Sequence, residues 1–346
     1  MASPIIVADH LSKTYRVATY QKSLRDLLGS VVRRSYSEVL AVHDVSFAVD
    51  PGTCLGLIGP NGAGKSTAIK MMTGVLHPTS GAISVNGIVP YRRRQENARQ
   101  IGVVFGQRTQ LWYDLPVVDS YDLLREIYEI PRRVYDENLT VYGERLGLFE
   151  FFHQPVRKLS LGQRMRADFA ASLLHNPRVV FLDEPTIDLN VVAKEAVREF
   201  IRFMNHERGV TVILTTHDMT DIEAVSHRVL VMDHGRIVHD STMAALRDAY
   251  ARTRIVDVTL SDAESARRLG ADVRLLADLG VEALGVAGRD VSLQFDRDRY
   301  TAFQVVGRVA QDYAVQDLAT RDVPVETMIR AMYTGGGSAA ARQPVP

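Results

Sequence analysis

The sequence predicts an α/β protein: buried, parallel-type strands that converge on a phosphate-binding loop, followed by a small α+β domain. Three observations carry this. Gly59-Pro60-Asn61-Gly62-Ala63-Gly64-Lys65-Ser66-Thr67 matches G-x-x-x-x-G-K-[ST] without departure, between an apolar run (Cys54 to Ile58) and a helix-forming run (Ala68 to Met72). Val179-Val180-Phe181-Leu182 is a second apolar run, of the kind a parallel sheet buries on both faces, and it ends in two carboxylates, Asp183 and Glu184. Val210 to Thr216 is a third, ending in His217. Open α/β sheets bind ligands at the carboxyl ends of their strands, where all three runs put their polar residues.

The glycine loop has a direct physical reading. Glycines let successive backbone N–H groups turn inward with no Cβ in the way. The following helix aims its positive end at the same spot. Gly59, Asn61, Gly62 and Gly64 would shape the cradle, and Ser66 and Thr67 would end it. Lys65 adds a full charge for the β- and γ-phosphates, and the Ser66 hydroxyl suits Mg²⁺. Adjacent strand residues point opposite ways, so one of Asp183 and Glu184 can organise Mg²⁺ while the other polarises a water.

Composition bounds the rest. A chain of 346 residues predicts about two domains. Hydrophobic residues make up 46%, enough for a sizeable core. Lys+Arg and Asp+Glu are both 41, so no global basic field argues for nucleic acid. Cys54 is the only cysteine; an intramolecular disulfide is excluded, and a reducing compartment fits. No run approaches the roughly 18 apolar residues of a membrane span, and the N-terminus does not resemble a signal peptide. Any membrane spans would therefore come from other chains.

In chain order, residues 5–16 read as a strand and turn that carry Tyr15 near the strand end. An aromatic there either stacks on an adenine ring or packs half-buried, and packing is the commoner use. Leu24, Leu27, Leu28, Val31 and Val32 give residues 20–36 a helical apolar face decorated with Lys22, Arg25, Arg33 and Arg34, inside an insertion over about 17–40. Such a helix packs on its own domain or grips a membrane or partner; packing is the preferred reading. Val39 to Val49 and Ala82 to Gly87 read as strands, the second closing in a hairpin-type turn. Ile101 to Phe105 is a buried strand followed by Gly106-Gln107, and a helical stretch begins near Trp112. Leu159-Ser160-Leu161-Gly162-Gln163 opens another helix, with Ser160 as N-cap and Gly162 allowing close approach of a phosphate. Residues 228–239 read as a hairpin about Asp233-His234-Gly235. Residues 254–333 alternate as strands at 255–260 and 291–295, with helices over 300–313 and 324–333, and the glycine-rich tail from Thr334 predicts disorder.

Taken together, residues 5–247 resemble the nucleotide-binding subunit of ABC transporters. Gly59 to Thr67 look like the Walker A loop, and Leu159 to Gln163 like the family signature. Asp183 and Glu184 look like the Walker B aspartate and the catalytic base, and His217 like the switch histidine. The resemblance implies adenine stacking by Tyr15 and a Q-loop glutamine, Gln107, that meets Mg²⁺ and faces a membrane partner. It implies a P-loop ATPase fold of the ABC type with a helical subdomain over about 111–176. The ATP-binding domain would span 1–250, an α+β domain 251–333 and the tail 334–346.

The implied function is ATP hydrolysis at the cytoplasmic face of the cell membrane. A second ATP-binding subunit would sandwich two ATPs, each glycine loop facing the partner's Ser160, Gly162 and Gln163, and a separate permease would be driven. The stretch Val104 to Pro116 is similar to a bacterial exporter branch that moves drugs, lipids or glycans; an importer subunit or a soluble ABC ATPase is the alternative. Two positions depart from the family pattern: Leu161 replaces the first signature glycine, and Asp188-Leu189-Asn190 stands where the family commonly ends in Leu-Asp.

Overall fold

The structure, a computed structural model, describes residues 3–18, 36–106, 108–216, 218–250 and 253–323. Five sequence expectations therefore lie outside the described residues: most of the basic helix at 20–36, Gln107, His217, the helix at 324–333 and the tail. The chain falls into two compact units, breaking between Ser241 and Thr242.

The first unit opens with β1 (Ile6–Ala18) and β2 (Tyr36–Val49), followed by β3 (Cys54–Ile58), α1 (Lys65–Met72) and β4 (Ser80–Val85). Both long strands run further than their patterns suggested. β1 continues past Arg16, so Tyr15 lies within the strand rather than at its end, and residues 17–18 and 36–40 of the expected insertion are sheet. Next come α2 (Arg94–Ala98), β5 (Ile101–Phe105), α3 (Val117–Ile127), α4 (Arg132–Leu146) and α5 (Leu161–Leu173). The unit closes with β6 (Val179–Asp183), α6 (Val191–His206), β7 (Thr211–Thr215), α7 (Met219–Val225), β8 (Arg228–Asp233) and β9 (Arg236–Thr242).

Two sheets result. One is antiparallel, in the order β2-β1-β4; the other has the order β5-β6-β7-β3-β8-β9. Within the second, β3 lies parallel between β7 and β8, and β6 parallel between β5 and β7. The apolar residues of β3, β6 and β7 are buried throughout, which is why these runs show no alternation. A shared core joins the two sheets through α1, with Ile6, Val49, Ile69, Met71, Phe181 and Ile213 among its members. Register then sets the site. Phe105 pairs with Asp183, Asp183 with Thr215, and Thr215 with Leu57, so four strand ends and the glycine loop come level with one another.

One turn explains how the glycine loop is held. β8 and β9 are joined by His234 and Gly235, with φ of 44° and 78°, the two left-handed residues that a tight hairpin requires. The tip of that turn braces the loop: the Gly235 N–H donates to the Ala63 carbonyl (3.1 Å), and the Gly235 carbonyl accepts from the His43 N–H of β2 (2.7 Å).

The second unit contains α8 (Met243–Tyr250), β10 (Thr253–Leu260), α9 (Ala263–Gly270), α10 (Val273–Leu279), β11 (Glu282–Ala287), β12 (Asp290–Asp296), α11 (Ala302–Asp312) and β13 (Val315–Asp322). Its sheet is antiparallel in the order β11-β12-β10-β13, a split β-α-β arrangement. Val256, Val258 and Leu260 of β10 pack with Leu269, Val305 and Val309 of the helices.

Candidate functional site

The glycine loop follows β3 directly. Gly62 and Gly64 have φ of 85° and 102°, conformations that side chains rarely adopt. Gly64 is also the N-cap of α1, and a Cβ there would lie 2.4 Å from the Ala41 carbonyl of β2. The loop is thus pressed against the antiparallel sheet. Lys65 is 7% exposed, and its ammonium donates to the carbonyls of Gly59 (2.7 Å) and Pro60 (3.1 Å), folding the charge back over the loop. Burial lowers its pKa, while the charges of Glu184 and Asp183 push it up again.

Asp183 ends β6 beside the loop. Its Oδ1 accepts from the Ser66 hydroxyl (3.2 Å) and the Thr215 hydroxyl (2.6 Å). One oxygen thereby ties the glycine-loop helix to two neighbouring strands. Glu184 lies outside the strand, contrary to the alternation expected for the pair. Its φ is 54°, and its N–H donates to the carbonyl (3.0 Å) and hydroxyl (3.1 Å) of Thr215. A left-handed non-glycine residue is a strained turn, and this one brings Glu184 into the same cavity as Asp183. That cavity, about 490 Å³, is lined by Ser66, Lys70, Phe105, Gly106, Asp183 and Glu184 among others. Gly106 is needed where it stands: a Cβ would meet the Glu184 carbonyl at 2.1 Å.

Lys65, Ser66, Asp183 and Glu184 are thus brought together. Tyr15 sits partly buried on β1, opposite Val39 and two residues along β2 from Ala41, with the Lys13 ammonium 5.5 Å over its ring. Ser160, Gly162 and Gln163 line a different cleft, of about 430 Å³, with Asp188 and Asn190. Ser160 caps α5 as expected, and Gln163 completes a capping box: the Gln163 N–H donates to Ser160 Oγ (3.2 Å) and the Ser160 N–H to Gln163 Oε1 (2.9 Å). Asn190 caps α6, accepting from the Ala193 N–H at 2.8 Å. It performs the capping that an aspartate would, without the charge. Gln107 and His217 lie outside the described residues.

Sequence reasoning missed two polar residues around the site. Thr215 holds both Asp183 and the Glu184 backbone, and its signal was a hydroxyl at the end of an apolar strand. Asp168 on α5 accepts from the Thr109 hydroxyl (2.9 Å) and the Gln110 N–H (3.0 Å), while its carbonyl accepts from the Gln110 side chain (3.0 Å). It clasps the segment after Gln107 to the helix that begins at Ser160. Burial, the largest cause, pushes its carboxyl up to about 6, against those bonds and the charge of Arg164.

Parallel strands ending level at a glycine loop, with a hydroxyl and a carboxylate facing each other beside it, define a P-loop nucleotide-hydrolysing protein. Comparison with known proteins narrows the class. The family model described as ABC transporter matches residues 42–187. The Nod factor export ATP-binding protein I of Burkholderia thailandensis is 33% identical over 227 residues, which are 66% of this chain and 74% of that protein. A daunorubicin resistance ATP-binding protein of Streptomyces coeruleorubidus is 32% identical over 290 residues, 83% of this chain and 89% of that one. Among solved structures, an ATP binding subunit of an ABC transporter superposes with a TM-score of 0.59 at 23% identity, covering 71% of this chain and 93% of the other. The chain belongs to the ATP-binding subunits of ABC transporters, and it is an ATPase that powers transport.

Proposed function

We propose that the transporter is an exporter and that hydrolysis proceeds by in-line attack of water on the γ-phosphate of bound ATP. The export reading is supported by the extent of likeness to the daunorubicin resistance protein: 290 matched residues exceed the 241 of the first unit, so the similarity reaches the second. Drugs, lipids and glycans are the cargo classes that this reading allows.

For the chemistry, the carrying observation is the Ser66–Asp183–Thr215 cluster beside Lys65. Among the described residues no group of three or more His, Cys, Asp or Glu could cage a metal alone. One hydroxyl and one carboxylate suit Mg²⁺, which keeps waters and substrate phosphate oxygens as its other ligands. Bound there, Mg²⁺ would neutralise charge developing between the β- and γ-phosphates. Lys65 would swing from the Gly59 and Pro60 carbonyls to the phosphates. Glu184, held over the same cavity by its left-handed turn, would orient and deprotonate the water. Gln107 would meet Mg²⁺ and face the permease, His217 would contact the γ-phosphate, and Tyr15 would stack on adenine.

Two copies, or this chain and an unlike partner, would close head to tail, presenting Ser160, Gly162 and Gln163 to the other's glycine loop. Closure would be passed to a separate permease at the cytoplasmic membrane face. Among the described residues no helix is long and apolar enough to cross a membrane. The decisive experiment is Glu184→Gln, which keeps size and hydrogen bonding but removes the base. Phosphate release should fall about 10²–10⁴-fold while ATP binding persists. Size-exclusion chromatography with Mg·ATP should then reveal an accumulated dimer. Wild-type phosphate release from this variant would remove Glu184 as the base; loss of turnover with ATP-bound monomers would remove the sandwich.

A further inference from the structure

The far end of the six-stranded sheet holds a cavity that the ATP site does not use. It occupies about 650 Å³ where the amino ends of the strands meet: Pro51 stands shortly before β3, Arg178 directly before β6, and Thr211 opens β7. Asp183 and Thr215, at the other ends of β6 and β7, belong to the ATP site. Ile5, Met204 and Val210, all buried, give the cavity an apolar wall. Its lining carries two arginines, Arg178 and Arg208, and no carboxylate.

Backbone bonds fix Arg178 on both sides: its N–H donates to the Gln100 carbonyl (3.1 Å), and its carbonyl accepts from the Thr211 N–H (3.0 Å). Of the five N–H groups on its guanidinium, one donates to Asn86 Oδ1, at 3.4 Å. The Arg208 guanidinium lies 5.9 Å from the ring centroids of both Tyr142 and Phe203. The carboxylate next to it in sequence, Glu207, bonds to Arg145 instead (3.3 and 3.4 Å). Neither Arg178 nor Arg208 has an ion-pair partner among the described residues. Tyr142 supplies a second kind of donor. It is 1% exposed and lines the cavity, yet its hydroxyl has no hydrogen-bond partner among the described residues. Burial raises its pKa against the charge of Arg208, so the hydroxyl stays protonated and able to donate. A hydroxyl in such a place is destabilising unless a ligand or water accepts from it.

We propose that this cavity binds a small organic phosphate, a soluble monoester whose dianion faces Arg178 and Arg208 and whose apolar body lies on Ile5, Met204 and Val210. The charges match: a phosphate monoester carries about −1.5 to −2 at pH 7, against one positive charge on each guanidinium. Guanidinium groups take phosphate oxygens through paired N–H bonds, and the Tyr142 hydroxyl adds a further donor. The size fits as well, since small-molecule sites run from about 300 to 1,000 Å³. The ligand is not the ATP of the catalytic cycle. The two cavities share no lining residue and sit at opposite ends of the parallel strands.

Phenyl phosphate is the probe, titrated calorimetrically into the full chain saturated with Mg·ADP, so that the glycine loop is already filled. Wild type should bind one equivalent with a Kd below about 1 mM. Arg178→Gln and Arg208→Gln should each weaken binding about tenfold or more, and the double variant about a hundredfold. Both side chains are exposed, so these variants should melt within about 2 °C of wild type. Tyr142→Phe keeps the ring and should cost about threefold or more. Inorganic phosphate, which lacks the apolar body, should bind about tenfold more weakly than phenyl phosphate. A wild-type Kd above about 1 mM, or a loss of less than about tenfold in the double variant, overturns the proposal. Sedimentation with vesicles containing phosphatidic acid separates the two sources of such a phosphate. Retention of the wild type that the double variant loses would make the ligand a lipid headgroup and overturn the soluble ester; retention independent of both arginines leaves the soluble ester standing.

Discussion

Replacing Asp168 by Asn should uncouple part of the protein's stability from pH. Asp168 is 4% exposed, and its carboxyl titrates at about 6 rather than 3.8. The folded state therefore holds this proton up to about pH 6, the unfolded chain only to 3.8. Between those values the folded state binds more protons, so stability falls as pH rises and the loss is complete above pH 6. At about 1.36 kcal/mol per pKa unit the whole loss is about 3 kcal/mol. About 2 kcal/mol of it falls between pH 4.5 and 7.5. Asn keeps an oxygen to accept from Thr109 and Gln110 but never carries the charge. The stability difference, variant minus wild type, should then rise by about 2 kcal/mol from pH 4.5 to 7.5 and stay flat above. Thermal unfolding of both proteins across that range measures it, and taking the difference cancels the other carboxylates. At about 2–4 °C per kcal/mol the shift in the Tm gap is about 4–8 °C. A gap independent of pH, or one that narrows in the variant's disfavour as pH rises, would refute the assignment of burial as the dominant cause.

Two further outcomes follow from the loop and from β1. Gly64→Ala must adopt φ near 102° and put a Cβ against the Ala41 carbonyl; it should cost about 1–3 kcal/mol of stability and abolish ATP binding, measurable by melting and by nucleotide fluorescence. A variant that melts and binds like wild type would show that the loop has room to relax. Tyr15→Ala should weaken ATP binding by about 1–3 kcal/mol, borrowing the scale of base–aromatic stacking, while Tyr15→Phe changes little. Equal losses in the two would make the hydroxyl, not the ring, responsible.

Much of the fold was legible because burial on both faces leaves an unmistakable mark. The apolar runs that became β3, β5, β6 and β7 had no alternation to misread, and the register brings their ends level at Leu57, Phe105, Asp183 and Thr215. The second unit was harder. β13, Val315-Gln316-Asp317-Leu318-Ala319-Thr320-Arg321-Asp322, is an exposed edge with little apolar pattern, and β11 carries Gly285 within a short edge strand. Their hydrogen bonding to β10 and β12, rather than their composition, makes them strands. At the site, the identity of Asp183 and Glu184 could be read, but their arrangement could not. Strand alternation was the wrong rule for Glu184, since the left-handed turn begins one residue earlier than the pattern indicates. The Thr215 and Asp168 contacts join positions far apart in sequence, and nothing local announces such pairs.

The central place of β3 has a consequence for how the chain is made. Cys54 lies beside Val212 and Leu55 beside Arg228, neighbours more than 150 residues further along. At about 5–20 residues per second, a ribosome takes roughly 8–35 s to supply them after β3 emerges. Throughout that interval an apolar strand waits with both edges unpaired, the situation in which nascent chains recruit chaperones or stick to one another. Cys54 sits within this strand. In the finished protein burial pushes its thiol up to about 12, leaving it inert. Before closure it has the reactivity of any free thiol, so a pulse of alkylating reagent given to ribosome-bound chains would time-stamp the moment the sheet shuts.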